Sequence, residues 1–360
     1  MATTTQKRDY SLIGASARQA AEQGLVAADW YHPAVPRKRM KELMRRSDGP
    51  ALRDTALWLV LLIASGVGGG LFWGTWLTVP FFIVYGVLYG SATDSRWHES
   101  GHGTAFKTSQ INDVLYQVAS FMNLKEPTFW RWSHARHHTD TIIVGRDREI
   151  AAMRPPDVAK LVVNVIGLRD AWDTAISVGR HAAGRLTEEE RTFIPEGEHF
   201  RVYREARAWV AIYALVVAAA VVLHSFLPLM YVGLPSLYGR WLAALFGLSQ
   251  HAGLAENVLD HRLNARTIYM NPVFRFLYWN MNYHVEHHMF PMVPYHALPR
   301  LHAEIAHDLP TPYPSLLAAY REIVPTLLRQ MREPGYHVRR ELPPAAQPFR
   351  PEMHSAVFEA

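Results

Sequence analysis

Two long apolar stretches dominate the pattern of the chain. Residues 55–93 carry no charged side chain. At about 1.5 Å per helical residue, that length allows two crossings of a hydrocarbon core roughly 30 Å thick. The sequence Phe72-Trp73-Gly74-Thr75 is the natural turn between them, which predicts spans near 55–72 and 76–93. The second stretch, Ala208 to Ala255, holds only Arg240 as a charge and divides near Ser225 to Pro228. It predicts spans near 208–226 and 229–250. A pair of buried hairpins in a soluble helical protein is the alternative. Uncharged runs this long are rare in soluble chains, so the membrane reading is preferred. Segments 111–124 and 157–180 read as amphipathic or interfacial helices, and 184–207 as a charged, solvated stretch.

The expected organisation is all-α. A cytoplasmic segment (1–54) precedes a membrane domain (55–310), and a C-terminal helix and tail (311–360) follow. The tail after Glu333 is rich in proline and arginine and is expected to be flexible. Residues 1–54 lack the basic-then-apolar pattern of a signal peptide, so no secretory targeting is expected.

Charge orients the spans. Arg37, Lys38, Arg39, Lys41, Arg45 and Arg46 precede the first span, and the positive-inside rule places them in the cytoplasm. The net charge of +5 is modest for 360 residues, and the basic residues flank apolar stretches. That argues for a lipid bilayer as partner and against nucleic acid. The chain has no cysteine, which excludes disulfides, zinc–thiolate sites and cysteine-ligated Fe–S clusters within it.

Histidine supplies the candidate chemistry. Eight of the 19 histidines fall in three short windows: His98 and His102; His134, His137 and His138; His284, His287 and His288. On a helix, positions i, i+3 and i+4 share a face, so each window can aim several imidazoles at one place. Eight imidazoles exceed the needs of one tetrahedral ion, and the count points to two metals. With four spans, all three windows return to the cytoplasmic side, as a shared site requires. His251, at the end of the fourth predicted span, is favoured over His261 as a ninth ligand. Asn257 is a candidate ligand through water. Glu99, Asp140, Asp147, Asp260 and Glu286 lie near the windows in sequence. They are expected to orient the histidines by accepting the second ring N–H.

Two rival readings compete with this one. His98-Glu99-Ser100-Gly101-His102 satisfies the HExxH zinc-protease pattern, with Glu99 as general base. That reading leaves the other two windows without work. A metal transporter would carry its ligands within the spans, whereas these lie just beyond them.

The motifs HESGH, HARHH and NYHVEHHMFPMVP, within residues 50–310, resemble the membrane fatty acid desaturase and hydroxylase superfamily. RWSHARHHTDTIIVGRD and YWNMNYHVEHHMFPMVPYHALPRLH are similar to a bacterial branch of it. That branch includes a rhizopine oxygenase, dihydrorhizobitoxine desaturase and amino-acid desaturases. The resemblance implies a four-span bundle with a cytoplasmic helical cap at the bacterial inner membrane. It implies two non-haem irons held by the eight histidines, with His251 or His261 in a variable extra position. The implied activity is O₂-dependent desaturation or hydroxylation of an unactivated C–H, on an acyl lipid or a small amino-acid-like substrate. No His-Pro-Gly-Gly haem signature is present. Electrons are therefore expected from a separate ferredoxin or Rieske-type ferredoxin with its reductase. Asp140, Asp147 and Glu286 near the motifs tilt the expectation towards the small substrate.

Overall fold

A computed structural model describes residues 8–354. The described residues form helices and loops, with only two isolated β-bridges, Thr267 to Tyr283 and Ile268 to Tyr313. Helix α1 (Asp48–Leu71) runs 24 residues, roughly 36 Å at the helical rise. It ends in a turn at Gly74, whose φ of +87° suits glycine. The returning segment is helix α2 (Thr78–Gly86), one π-helical turn (Val87–Ser91) and helix α3 (Ala92–Gly101). Helices α4 (Ser109–Met122), α5 (Pro127–Thr139), α6 (Leu168–Ala182) and α7 (His199–Val222) follow. Helix α8 (Trp241–His251) and the short helix α9 (His284–Met289) complete the elements that build the site.

Only two helices among the described residues are long and apolar enough to cross a membrane, those ending at Leu71 and Val222. Both leave apolar side chains bare: Val60, Ile63 and Leu71 on α1, and Leu215, Val221 and Val222 on α7. The other two predicted spans are not single helices. The 76–93 stretch contains the π turn. The 229–250 stretch breaks into Leu227–Tyr231, Pro235–Tyr238 and α8. Proline at 228 and 235 cannot donate within a helix, and Gly233 has φ +97°.

Close backbone contact explains why the breaks are tolerated. A side chain at Gly239 would lie 1.8 Å from the Gly86 carbonyl oxygen, so the two backbones meet directly. Ser91 Oγ in the π turn donates to the Gly239 carbonyl (2.5 Å) and accepts from the Ala243 amide (2.9 Å). Trp58 Nε1 on α1 donates to the Leu88 carbonyl at 2.8 Å. Phe82, Tyr85, Leu88, Tyr89, Phe246 and Tyr278 then fill the space between these elements as one core.

The termini also pack. The stretch 184–207, expected to be solvated, buries Phe193, Ile194 and Val202 against Phe129. The described part of the tail lies against the 260 loop: the Gln347 carbonyl accepts from Arg262, and the Phe349 amide donates to Asp260. Arg262 is buried between Asp260 and Asp308, which gives the tail a fixed surface to lie on.

Helix α5 begins with Pro127, whose missing N–H costs nothing at that position. The next amide and the Thr128 hydroxyl both donate to Glu205 of α7, at 2.9 and 3.0 Å. The preceding Glu126 accepts from buried His181 of α6 at 2.8 Å, and the other ring nitrogen faces Glu190 at 3.3 Å. Burial opposes the charge on His181, but hydrogen bonds to Glu126 and Glu190 outweigh it and lift the pKa from 6.5 to about 9. Burial likewise opposes the charge on Glu190, and the His181 hydrogen bond draws its pKa down from 4.5 to about 2. The His181 contribution is therefore complete below pH 6.5 and lost as pH rises through about 9. The Glu190 contribution is present above pH 4.5 and lost as pH falls through about 2. Thermal unfolding of the detergent-solubilised protein should show stability falling between about pH 7 and 10. His181→Gln should flatten that slope; an unchanged slope would remove this triad from the account.

Candidate metal centre

The three histidine windows converge with His251 on one buried place. Two groups of ring nitrogens form there, each with its atoms within 4.8 Å of one another. His98, His102, His134, His138 and His287 make the first group; His137, His251, His284 and His288 make the second. The groups abut, with the rings of His138 and His288 only 4.5 Å apart between centroids.

Helical spacing determines who goes where. On α5, His134 and His138 are four apart and share the first group. His137, rotated about 100° from His138, enters the second. On α9 the assignment is mirrored: His284 and His288 join the second group, and His287 crosses to the first. Helix α3 adds His98 to the first group, as does its C-cap residue His102, and the end of α8 adds His251 to the second.

Partners on Nδ1 fix which nitrogen faces inward. Glu149 accepts from His134 Nδ1 at 3.1 Å, and Asp147 accepts from His137 Nδ1 at 2.8 Å. The Asn264 carbonyl accepts from His251 Nδ1 at 2.7 Å. Thr141, whose hydroxyl proton goes to the His137 carbonyl, accepts from His288 Nδ1 at 3.3 Å. With its Nδ1–H committed, each of these rings in its neutral form presents a bare Nε2.

The inward nitrogens then face one another. His134 and His138 meet Nε2 to Nε2 at 3.2 Å, His98 and His287 at 2.7 Å. His284 Nε2 lies 2.9 Å from that of His251 and 3.0 Å from that of His288. The Nδ1 atoms of His138, His284 and His287 and the Nε2 of His102 are buried without partners. Each such pair can share one proton as an N–H···N bond, and a cation that displaces the proton is held by both nitrogens. Metal–nitrogen bonds of about 2.1 Å at right angles would separate ligand atoms by about 3 Å. The donor set therefore fits a metal ion in each group.

Protonation agrees with this reading. Burial holds His102, His138, His284 and His288 well below the usual imidazole value, and neighbouring histidines add to the effect. His287 is lowered to about 3, chiefly by burial. Neutral imidazole is the form that binds metal. His137 goes the other way: the charge of Asp147 overcomes burial and raises it.

Several sequence candidates do other work. His261 joins neither group; its ring stacks on Trp30 at 4.3 Å and lies 5.0 Å from the His288 ring. Asn257 Oδ1 accepts from the Val144 amide at 2.8 Å and holds a loop. Asp140 pairs with Arg146 at 3.0 Å. Asp260 pairs with Arg262. Glu286 accepts from Thr267 at 2.6 Å and from His302, on the far side of α9 from the histidine groups. Glu99 accepts through Oε1 from Thr104 at 2.8 Å and from the Tyr295 amide at 2.9 Å, and it joins neither histidine group. Burial lifts its pKa to about 7. With three further histidines in the same group, the zinc-protease reading is not supported.

Of the expected carboxylates only Asp147 reaches a clustered histidine. Glu149 does so unannounced. The clue is in the sequence: Asp147 and Glu149 alternate in one loop that follows the second window, and Gly145, with φ +80°, turns that loop back.

A helical architecture among the described residues that gathers two histidine-only groups able to hold a metal, beside long apolar helices, defines a candidate histidine-ligated metal site. Residues 74–319 match the family described as fatty acid desaturase; the chain belongs to this family. The match takes in all three histidine windows and His251. No curated protein matches the chain. Membership makes it a membrane-associated oxidoreductase of an iron-dependent family of desaturases and hydroxylases.

Replacing an orienting carboxylate should weaken one group selectively. Glu149→Gln should lower metal affinity at the first group by about 10–100-fold, and Asp147→Asn at the second by as much. Competition titration with a chelator reads both. Equal weakening of both groups by either variant would contradict the division.

Proposed function

We propose that the chain is an O₂-dependent, non-haem di-iron desaturase or hydroxylase with one iron in each histidine group. His98, His102, His134, His138 and His287 would hold one iron; His137, His251, His284 and His288 would hold the other. The observation that carries this reading is the pair of abutting histidine-only groups, in a chain of the desaturase family. Iron bound there supplies one-electron redox change and O₂ activation, which zinc does not.

The chain's own residues prepare that chemistry. Asp147, Glu149, Thr141 and the Asn264 carbonyl hold four rings in the ligating tautomer. Trp97, 2% exposed, lays its ring against His98 and His134. Overall, desaturation removes two hydrogen atoms from adjacent carbons and hydroxylation inserts one oxygen. In both, O₂ also takes two electrons and two protons from outside, and the remaining oxygen leaves as water.

The bare apolar faces of α1 and α7 support insertion in a bilayer. The proposed arrangement has four crossings, near 55–72, 76–93, 208–226 and 229–250, with the broken second and fourth covered by the continuous first and third. Basic residues 37–46 favour a cytoplasmic site. With no cysteine for an Fe–S cluster, the electrons come from a separate ferredoxin or Rieske-type ferredoxin and its reductase.

Metal analysis of the detergent-purified protein should find about two irons per chain. His137→Ala should reduce this to about one and abolish O₂-dependent product in cells supplied with a matching ferredoxin, as read by profiling lipids and polar metabolites. One zinc and no iron, or no oxidised product in either fraction, would overturn the reading.

A further inference from the structure

A cavity of about 90 Å³ opens directly onto the first histidine group. His98, His102 and His134 form its floor, Trp97 and Tyr116 its walls, and Arg131 stands at its edge with the exposed Ala135. The walls are rigid. The Trp97 and Tyr116 rings stack at 6.3 Å, and the Tyr116 hydroxyl donates to the Pro127 carbonyl at 2.7 Å. Arg131 is laid over the Tyr116 ring at 4.5 Å. Among the described residues its carboxylate partner is Asp113, 67% exposed and 3.6 Å away, too loose a pair to occupy the guanidinium fork. Arg131 and His134 are three apart on α5, so they share a face. An anion held by Arg131 would place its next few atoms against the histidine floor.

Size narrows the ligand. The cavity is well below the roughly 300–1,000 Å³ of sites that enclose drug-sized ligands. Phe82, Tyr85, Leu88, Tyr89, Phe246 and Tyr278 pack against one another as a closed core and do not extend this cavity. The carboxylates that had suggested an ammonium-bearing substrate are committed: Asp140 to Arg146, Asp147 to His137, and Glu286 to Thr267 and His302.

We propose that this cavity binds a small organic acid of a few carbons, its carboxylate on Arg131 and its aliphatic part between Trp97 and Tyr116, and that such an acid is the substrate. The inference rests on the oxidoreductase reading above for the word substrate, but the binding itself needs no metal. Arg131 acts as a specificity-determining residue: its planar fork matches a carboxylate in two hydrogen bonds, which a lysine cannot reproduce.

Calorimetric titration of the full-length protein in detergent tests this with butyrate, butyramide and palmitate as probes. Butyrate should bind, butyramide about tenfold or more weakly, and palmitate no better than butyramide. Arg131→Ala should weaken butyrate about 10–100-fold, and Arg131→Lys should recover part of the loss. Ala135→Leu, at an exposed position that does not disturb the core, should close the mouth and abolish butyrate binding while metal content stays unchanged. Butyrate binding that ignores all three substitutions would overturn the proposal, as would palmitate binding that is independent of Arg131. Failure of the oxidoreductase reading would appear separately, as absence of iron, and would leave these titrations untouched.

Discussion

Nine imidazoles cannot be packed together without settling where each proton resides. Ring nitrogens that face one another at 2.7 to 3.2 Å must share either a proton or a cation. This requirement shapes everything near the centre. It calls for acceptors behind the rings, and the fold supplies two carboxylates, a hydroxyl and a backbone carbonyl. It also demands elements that do not move, which explains the investment in the surrounding contacts. Glu205 and His181 secure the start of α5, and Ser91, Gly86 and Gly239 bring α3 and α8 close enough to present His98 and His251 together.

Much of the centre was legible in the sequence because helical geometry is local. Four-residue spacing places His98 with His102, His134 with His138, and His284 with His288, whatever the tertiary structure. The third histidine of each triplet was legible only as a reach towards a second metal; its crossing to the opposite group depends on how α5 and α9 face each other. The carboxylate partners were less legible because neighbours in sequence diverge around a helix. Glu99 and Glu286 are adjacent to ligating histidines yet point elsewhere. Glu149, fifteen residues from His134, arrives through a loop turned by Gly145.

The spans divide along the same line. Apolar composition identified four stretches and located the Gly74 turn. It could not foresee that the second and fourth would be irregular. Irregular backbone within an apolar stretch depends on neighbours that satisfy or crowd out its polar groups. Here these are Trp58, Ser91 and the glycine pair 86 and 239, brought together from three separate parts of the chain. A hydropathy pattern carries no record of such partnerships.

The mirrored assignment of adjacent histidines has a mechanical consequence. Because His137 and His138 leave α5 in directions about 100° apart, that helix stands as a wedge between the two groups. Turning it about its axis advances one ring as it withdraws the other. Helix α9, with His287 and His288, is a second wedge of the opposite sense. Neither histidine group can therefore relax alone. The two form a single mechanical unit, whose separation is set by the side-to-side angle of consecutive residues on a helix.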